Sequence, residues 1–154
     1  MREYIKKAEP IAELNNLSHD DWLELRKTGI GGSDAGAVLG LCKYKTPLSI
    51  CTEKTGRLKS DGGNDYTEFG NILENPIRHE VFPYYYEKET GNSPVVLSPR
   101  YIWRSIERPY MIANVDGWVI DGDKIYGLEI KTGSSYVLKD WGGKDGDEGP
   151  DTYY

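Results

Sequence analysis

One turn signal constrains this chain more than any other: Asp121-Gly122-Asp123, set between two apolar-rich runs, Val115 to Ile120 and Lys124 to Ile130. Asp-Gly and Gly-Asp are both favoured two-residue hairpin loops, so the segment is expected to fold back as two antiparallel strands. Side chains alternate between faces along a strand, and the loop therefore decides which residues meet. With Gly122-Asp123 as the loop, Asp121 pairs with Lys124 and Asp116 falls opposite Glu129. With Asp121-Gly122 as the loop, Asp116 faces Gly127, and Glu129 lies two residues farther along the same face. Both registers bring the same two carboxylates together, and Lys131 shares their face.

Directly opposed cross-strand residues have Cβ atoms about 4.5–5.5 Å apart. Carboxylate oxygens bind Mg²⁺ at about 2.0–2.1 Å, so one cation can bridge Asp116 and Glu129. Left alone, two like charges at this spacing repel, and one carboxyl is pushed towards its neutral form. The pattern thus points to a divalent ion that polarises a phosphate and activates water, with Lys131 orienting that water or offsetting charge in the transition state. The competing reading is a solvated hairpin face on which Glu129 and Lys131 are ordinary surface charges.

Composition sets outer limits. At 154 residues and 17.4 kDa, with 38% hydrophobic residues, the chain is expected to form one domain, 1–154. A formal net charge of −6 argues against bulk attraction to nucleic acid. Basic residues nevertheless crowd the first 60 residues (Arg26, Lys27, Lys43, Lys45, Lys54, Arg57, Lys59), while Asp140, Asp145, Asp147, Glu148 and Asp151 concentrate acid near the end. Cys42 and Cys51 lack metal-ligand spacing, so a zinc site or disulfide framework is not indicated. No apolar run approaches the ~20 residues needed to cross a bilayer, and the expectation is a soluble cytoplasmic chain without membrane contact.

Helices are expected first and strands later. Ser18 with Asp21 opens a helix to about Arg26; a second runs from about Ser33, read as its N-cap, to Leu39; Thr46-Pro47 opens a third that ends near Gly56. From about Tyr66 to Thr90 a long helical region carries Pro76 and Pro83, which predicts a kink or two helices, with Glu74 just before the break. Val95 to Leu97 and Tyr101 to Trp103 read as a hairpin, and 141–150, rich in glycine and acid, reads as a mobile loop or an end of ordered structure. Tyr84, Tyr85 and Tyr86 are read as packing more than as a base-stacking surface.

Three blocks resemble a known family: Trp22-Leu23-Glu24-Leu25-Arg26-Lys27-Thr28-Gly29-Ile30-Gly31-Gly32-Ser33-Asp34-Ala35; Phe69-Gly70-Asn71-Ile72-Leu73-Glu74-Asn75-Pro76; and Arg108-Pro109-Tyr110-Met111-Ile112-Ala113-Asn114-Val115-Asp116-Gly117 with Glu129-Ile130-Lys131-Thr132. In order and spacing they resemble the YqaJ-like viral recombinases, phage alkaline exonucleases of the lambda type within the PD-(D/E)xK nuclease superfamily. The resemblance implies an α/β fold of restriction-endonuclease type, with a central mixed sheet flanked by helices. It also implies a Mg²⁺- or Mn²⁺-dependent exonuclease that digests double-stranded DNA ends from the 5′ side. Its partners would be a single-strand-annealing recombinase and, as a homotrimer, further copies of itself, in a phage or prophage setting inside a bacterial host. By the same resemblance Asp116, Glu129 and the main-chain carbonyl of Ile130 are metal ligands, and Glu74 completes the site directly or through water. Lys131 is the catalytic lysine, and Arg26 and Ser33 receive the 5′-terminal phosphate. Arginine's planar donor fork suits that role.

The family also places a glutamine-bearing helix after the Glu-x-Lys strand, and this sequence contains no glutamine. The expectation is an N-terminal portion of a longer enzyme, or a shortened relative with reduced turnover. Two rival functions remain: a DNA-end-binding module without turnover, and an intracellular protein-interaction domain with a tyrosine- and tryptophan-rich face.

Overall fold

The computed structural model describes residues 6–58 and 65–133; the 141–150 segment and the acidic residues from Asp140 onwards lie outside them. The described residues gather into two compact units. One is built mainly from 7–58 and 102–113, the other from 65–101 and 114–132. The expected α/β class is found, with helices and two three-stranded sheets. Instead of one central mixed sheet, the strands divide between these two, and every resolved strand register is antiparallel. Among the described residues an isolated parallel bridge joins Ile30 to Met111.

The first unit holds α1 (His19–Lys27), α2 (Gly32–Val38), α3 (Pro47–Lys54) and a sheet ordered β1 (Ala8–Glu13), β3 (Tyr101–Ser105), β4 (Ile112–Ala113). Its core is Ala37 and Ile50 from the helices and Ile102, Trp103 and Ile112 from the sheet. Sequence reasoning does not anticipate β1, because Pro10 removes a ladder donor. At the edge of the sheet that donor can face away from the ladder, so the proline is tolerated there. Helix α1 starts as expected: Ser18 Oγ accepts from the Asp21 amide at 3.1 Å, and Asp20 and Asp21 occupy the electropositive first turn. Helix α3 opens on a reciprocal cap between Thr46 and Ser49, with Pro47 in its first turn.

Helix α2 differs from expectation. Asp34 Oδ2 accepts from the Gly31 amide at 2.9 Å, which makes Gly31 the N-cap, and Ser33 is a helical residue instead of the cap. The carboxylate three residues after Gly31 outcompetes the serine for the start of the helix.

The second unit holds α4 (Asp65–Pro76), α5 (Phe82–Thr90) and a sheet ordered β2 (Val95–Leu97), β5 (Gly117–Asp121), β6 (Lys124–Leu128). The break expected at Pro76 takes the form of a π-helical turn, Ile77–Val81, that joins α4 to α5. Such turns accommodate a residue that cannot continue the i→i−4 ladder, and they recur at functional sites. Helix α5 ends at Gly91 in the left-handed region, φ 75°, where glycine carries no Cβ penalty.

The hairpin expected between 95–97 and 101–103 does not form. Val95, Val96 and Leu97 pair instead with Ile120, Val119 and Trp118, while β3 joins the other sheet. Pro99 fixes its own backbone and supplies no amide, so 98–100 redirects the chain instead of turning it back. The β5–β6 hairpin takes the first of the two registers, Asp121 to Lys124 and Gly117 to Leu128. Gly122 has φ 57° and Asp123 has no positive φ, the signature of a II′ turn with glycine first. Val119 is 2% exposed and anchors one face; Trp118 and Ile120, on the Asp116 face, are only half-buried.

Candidate functional site

The β5–β6 ladder ends at the Gly117–Leu128 pair, and just beyond it the Asp116 amide also turns to the Leu128 carbonyl, donating at 2.9 Å. The Asp116–Glu129 pairing expected from the first register falls one step beyond the paired residues. Asp116 is half-buried, and its Oδ2 accepts from the Ile130 amide at 2.6 Å. The residue whose carbonyl is expected to face a metal is therefore tied to Asp116 through its own N–H, in the preceding peptide group. Glu129 is exposed and paired with Lys131.

Glu74 reaches the same neighbourhood from α4. Gly70 lies one turn earlier on the same helical face, and a Cβ there would stand 3.1 Å from Thr132 Oγ1. The absent side chain lets α4 close on the strand that carries Glu129 and Lys131. Burial raises the Glu74 pKa above its ordinary 4.5, and the charges of Asp116 and Glu129 raise it further against the lowering effect of Arg78. Three carboxylates thus act electrostatically on one region, and each has a partner: Arg78 for Glu74, Lys131 for Glu129 and the Ile130 amide for Asp116. Among the described residues no three of His, Cys, Asp and Glu close into a ready-made metal cage.

Arg78, on the π-helical turn, is 5% exposed. Its Cδ would lie 3.3 Å from a Cβ at Gly117, so the residue beside Asp116 must be small for the arginine stem to pass. Nη1 reaches Ser98 Oγ at 3.5 Å, and Ser98 also lies 3.0 Å from His79 Nε2. The donor set of carboxylates and a main-chain carbonyl is hard oxygen chemistry, which suits Mg²⁺ or Mn²⁺ better than zinc or copper. Burial is the largest cause of the raised Glu74 pKa, and the neighbouring carboxylates add to it.

Arg26 and Ser33 also meet. Arg26 is half-buried at the end of α1 and Ser33 is exposed on α2, and Nη2 donates to Oγ at 2.7 Å. The guanidinium carbon lies 4.7 Å from the Trp22 ring centre, so one face of the fork is covered. Gly29, in the turn between the two helices, has no room for a side chain: a Cβ would sit 2.8 Å from Ile112 Cγ2 and 2.9 Å from the Tyr110 carbonyl oxygen.

A profile of the YqaJ-like viral recombinase domain matches residues 21–154. The chain belongs to this family. It is 38% identical over 149 residues to the uncharacterized protein YqaJ of Bacillus subtilis (strain 168), which covers 96% of this chain and 43% of that protein. A shorter match, 36% identical over 55 residues, links it to protein D345L of African swine fever virus (strain Badajoz 1971 Vero-adapted), over 36% of this chain and 16% of the viral protein. The chain spans less than half the length of either relative.

Within this YqaJ-like domain, sequence reasoning passes over Arg78, Asp34 and Lys54. Arg78 was legible as the i+4 neighbour of Glu74, and Asp34 as the third residue after Gly31. Lys54 carries no local signal, since its partners are remote in sequence. Tyr86 is half-buried and donates to Asp121 Oδ2 at 2.9 Å, a packing role; Tyr84 and Tyr85 are exposed and meet edge to face, with ring centres 5.2 Å apart. Among the described residues no helix is long and apolar enough to cross a membrane.

Proposed function

We propose that this chain carries the active site of a metal-dependent nuclease that hydrolyses phosphodiester bonds at double-stranded DNA ends, working from the 5′ side. The observation that carries the reading is the convergence of Glu74, Asp116 and Glu129 on the open end of the β5–β6 hairpin, with Lys131 beside them. Asp116, Glu129, the Ile130 carbonyl and Glu74 would hold Mg²⁺ or Mn²⁺, which when bound supplies Lewis-acid polarisation of the phosphate and a more acidic water. Asp116 is steadied for this by the Ile130 amide, which fixes one carboxylate oxygen and leaves the other free to coordinate. Arg78 keeps Glu74 oriented from the side of the π-helical turn. Lys131, beside Glu129, would orient water or offset charge on the phosphate. Arg26 and Ser33 would hold the 5′-terminal phosphate, the arginine through charge-assisted paired donors. A single-strand-annealing recombinase and a homotrimeric assembly are the partners we propose for the longer protein.

End-labelled linear duplex DNA incubated with the chain in Mg²⁺, Mn²⁺ or EDTA tests the reading. Mononucleotide release with either metal and none with EDTA is expected. Retention of phosphorylated ends without release would make the chain an end-binding module, and failure to bind either metal or DNA would overturn both readings.

A further inference from the structure

The Arg26–Ser33 pair is held from behind by a buried ion pair. Lys54, at the end of α3, donates from Nζ to the Arg26 carbonyl at 2.8 Å and meets Asp34 Oδ2 at 2.6 Å. Asp34 Oδ2 also accepts from the Gly31 amide. The Asp34 side chain is 8% exposed and that of Lys54 16%. One ammonium therefore grips the carbonyl of Arg26 itself and the first turn of the helix that bears Ser33. The turn between them is fixed as well: the Ile30 amide donates to the Tyr110 carbonyl at 2.7 Å, the Ile112 amide to the Ile30 carbonyl at 3.0 Å, and Arg104 Nη2 to Thr28 Oγ1 at 3.0 Å.

Desolvation offsets most of the Coulomb gain of a buried ion pair, so it is a weak source of net stability. What this pair sets is the distance between the two residues that face a phosphate. Electrostatics adds a second effect. Asp34 follows Ser33 directly, and an unpaired carboxylate there would stand beside any anion that Ser33 contacts, in a setting where screening is poor. Lys54 cancels that charge without projecting into solvent.

We propose that Lys54 is a positioning residue for the DNA end: paired with Asp34 and the Arg26 carbonyl, it fixes the Arg26–Ser33 spacing and neutralises Asp34 next to the terminal phosphate. The inference rests on the reading of Arg26 and Ser33 as the end-phosphate site. Fluorescence anisotropy with 5′-phosphorylated and 5′-hydroxyl duplexes, in EDTA so that nothing is cleaved, gives the affinity ratio between the two ends. Lys54→Met lowers that ratio about tenfold. Adding Asp34→Asn removes the stranded charge, keeps an acceptor for the Gly31 amide, and recovers about threefold of the loss.

Arg26→Ala separates the two levels of the argument. A ratio unchanged in Arg26→Ala removes the phosphate site itself; a ratio lost there but kept in Lys54→Met overturns the role of Lys54 alone. A clamp that served only folding would lower the melting temperature and leave the ratio intact, which also overturns the proposal. If Lys54→Met does not fold, the double variant carries the test: a reduced ratio supports the role, and the full parental ratio overturns it.

Discussion

The hairpin end and the α1–α2–α3 cluster treat charge in opposite ways. In the helical cluster, opposite charges are matched: Asp34 with Lys54 at 2.6 Å and Glu53 with Lys45 at 2.9 Å. At the hairpin end like charges gather, and Glu74 is held towards its protonated form by burial and by Asp116 and Glu129 even with Arg78 against it. Folding alone would favour the first pattern, because matched charges leave little unrelieved repulsion. The second costs stability in the absence of a further cation and is therefore the better marker of chemistry. A net charge of −6 is therefore compatible with the proposed phosphodiester hydrolysis, since what matters is where the acids converge.

Removing the converging acids should break this contrast most strongly. Asp116→Asn or Glu129→Gln is expected to lower metal-dependent cleavage by at least about 100-fold while the melting temperature stays level or rises. Lys131→Ala should lose turnover with Mn²⁺ affinity largely kept, because its amine acts on water or phosphate and not on the ion. Titration calorimetry beside a cleavage assay checks both. Parental cleavage in the Asp116 and Glu129 variants would mean that the hairpin end is not the active site.

The scaffold side is next in size. Gly29→Ala places a methyl within 3 Å of Ile112 and of the Tyr110 backbone, and the backbone oxygen cannot swing aside. Overpacking of this kind costs about 1–3 kcal/mol, seen as a lower denaturant midpoint at constant slope. The same variant should also loosen the preference for phosphorylated ends, since the α1–α2 turn sets the Arg26–Ser33 spacing. An undisturbed midpoint would show that the turn gives way easily.

Much of this was legible in the sequence, for identifiable physical reasons. The hairpin could be read because a II′ turn demands glycine at its first position, and period-two alternation then leaves few pairings. The α1 and α3 starts could be read because caps are local chemistry between residues three apart. The Pro76 break followed from the ring's missing donor. What escaped depends on remote partners. β1 reads poorly because of Pro10, and only its place at a sheet edge excuses the proline. β2 and β3 resemble a hairpin until the apolar run of β5 offers Val95–Leu97 a better neighbour. Lys54 looks like any lysine at a helix end until its ammonium meets the Arg26 carbonyl.

Acid pH should sharpen the contrast without any change of backbone. The folded-state pKa of Glu74 lies above its ordinary 4.5, so the folded protein holds that proton more tightly than the unfolded chain does. The sign follows from linkage: Glu74 imposes no penalty below the ordinary value, and stability falls as pH rises from there through the raised folded value. In EDTA, the melting temperature of Glu74→Gln should therefore rise relative to the parent as pH increases from the ordinary 4.5, with glutamine still able to accept from Arg78. Mn²⁺ should reduce the gap by supplying the missing positive charge to the parent. A gap that does not change with pH would mean that Glu74 is fully compensated by Arg78.

The smallest expected effect comes from the far end of the same hairpin, where the II′ turn is tied to α5. Tyr86 donates its hydroxyl to Asp121 Oδ2 at 2.9 Å, and Asn92 Nδ2 donates to the same oxygen at 3.0 Å. That bond favours the neutral phenol, and Asp121 raises the Tyr86 pKa above its ordinary 10.0. Tyr86→Phe removes one donor and strands nothing, because Asn92 continues to serve the carboxylate. The cost should be the smallest among these variants, with a melting temperature close to that of the parent, and metal-dependent cleavage should not change. Ultraviolet titration would give an independent reading: the parent should show a late-ionising tyrosine that the variant lacks. A large loss of cleavage in Tyr86→Phe would show that the turn and the acidic end of the hairpin are mechanically coupled, so that the division drawn here between scaffold and site fails within this unit.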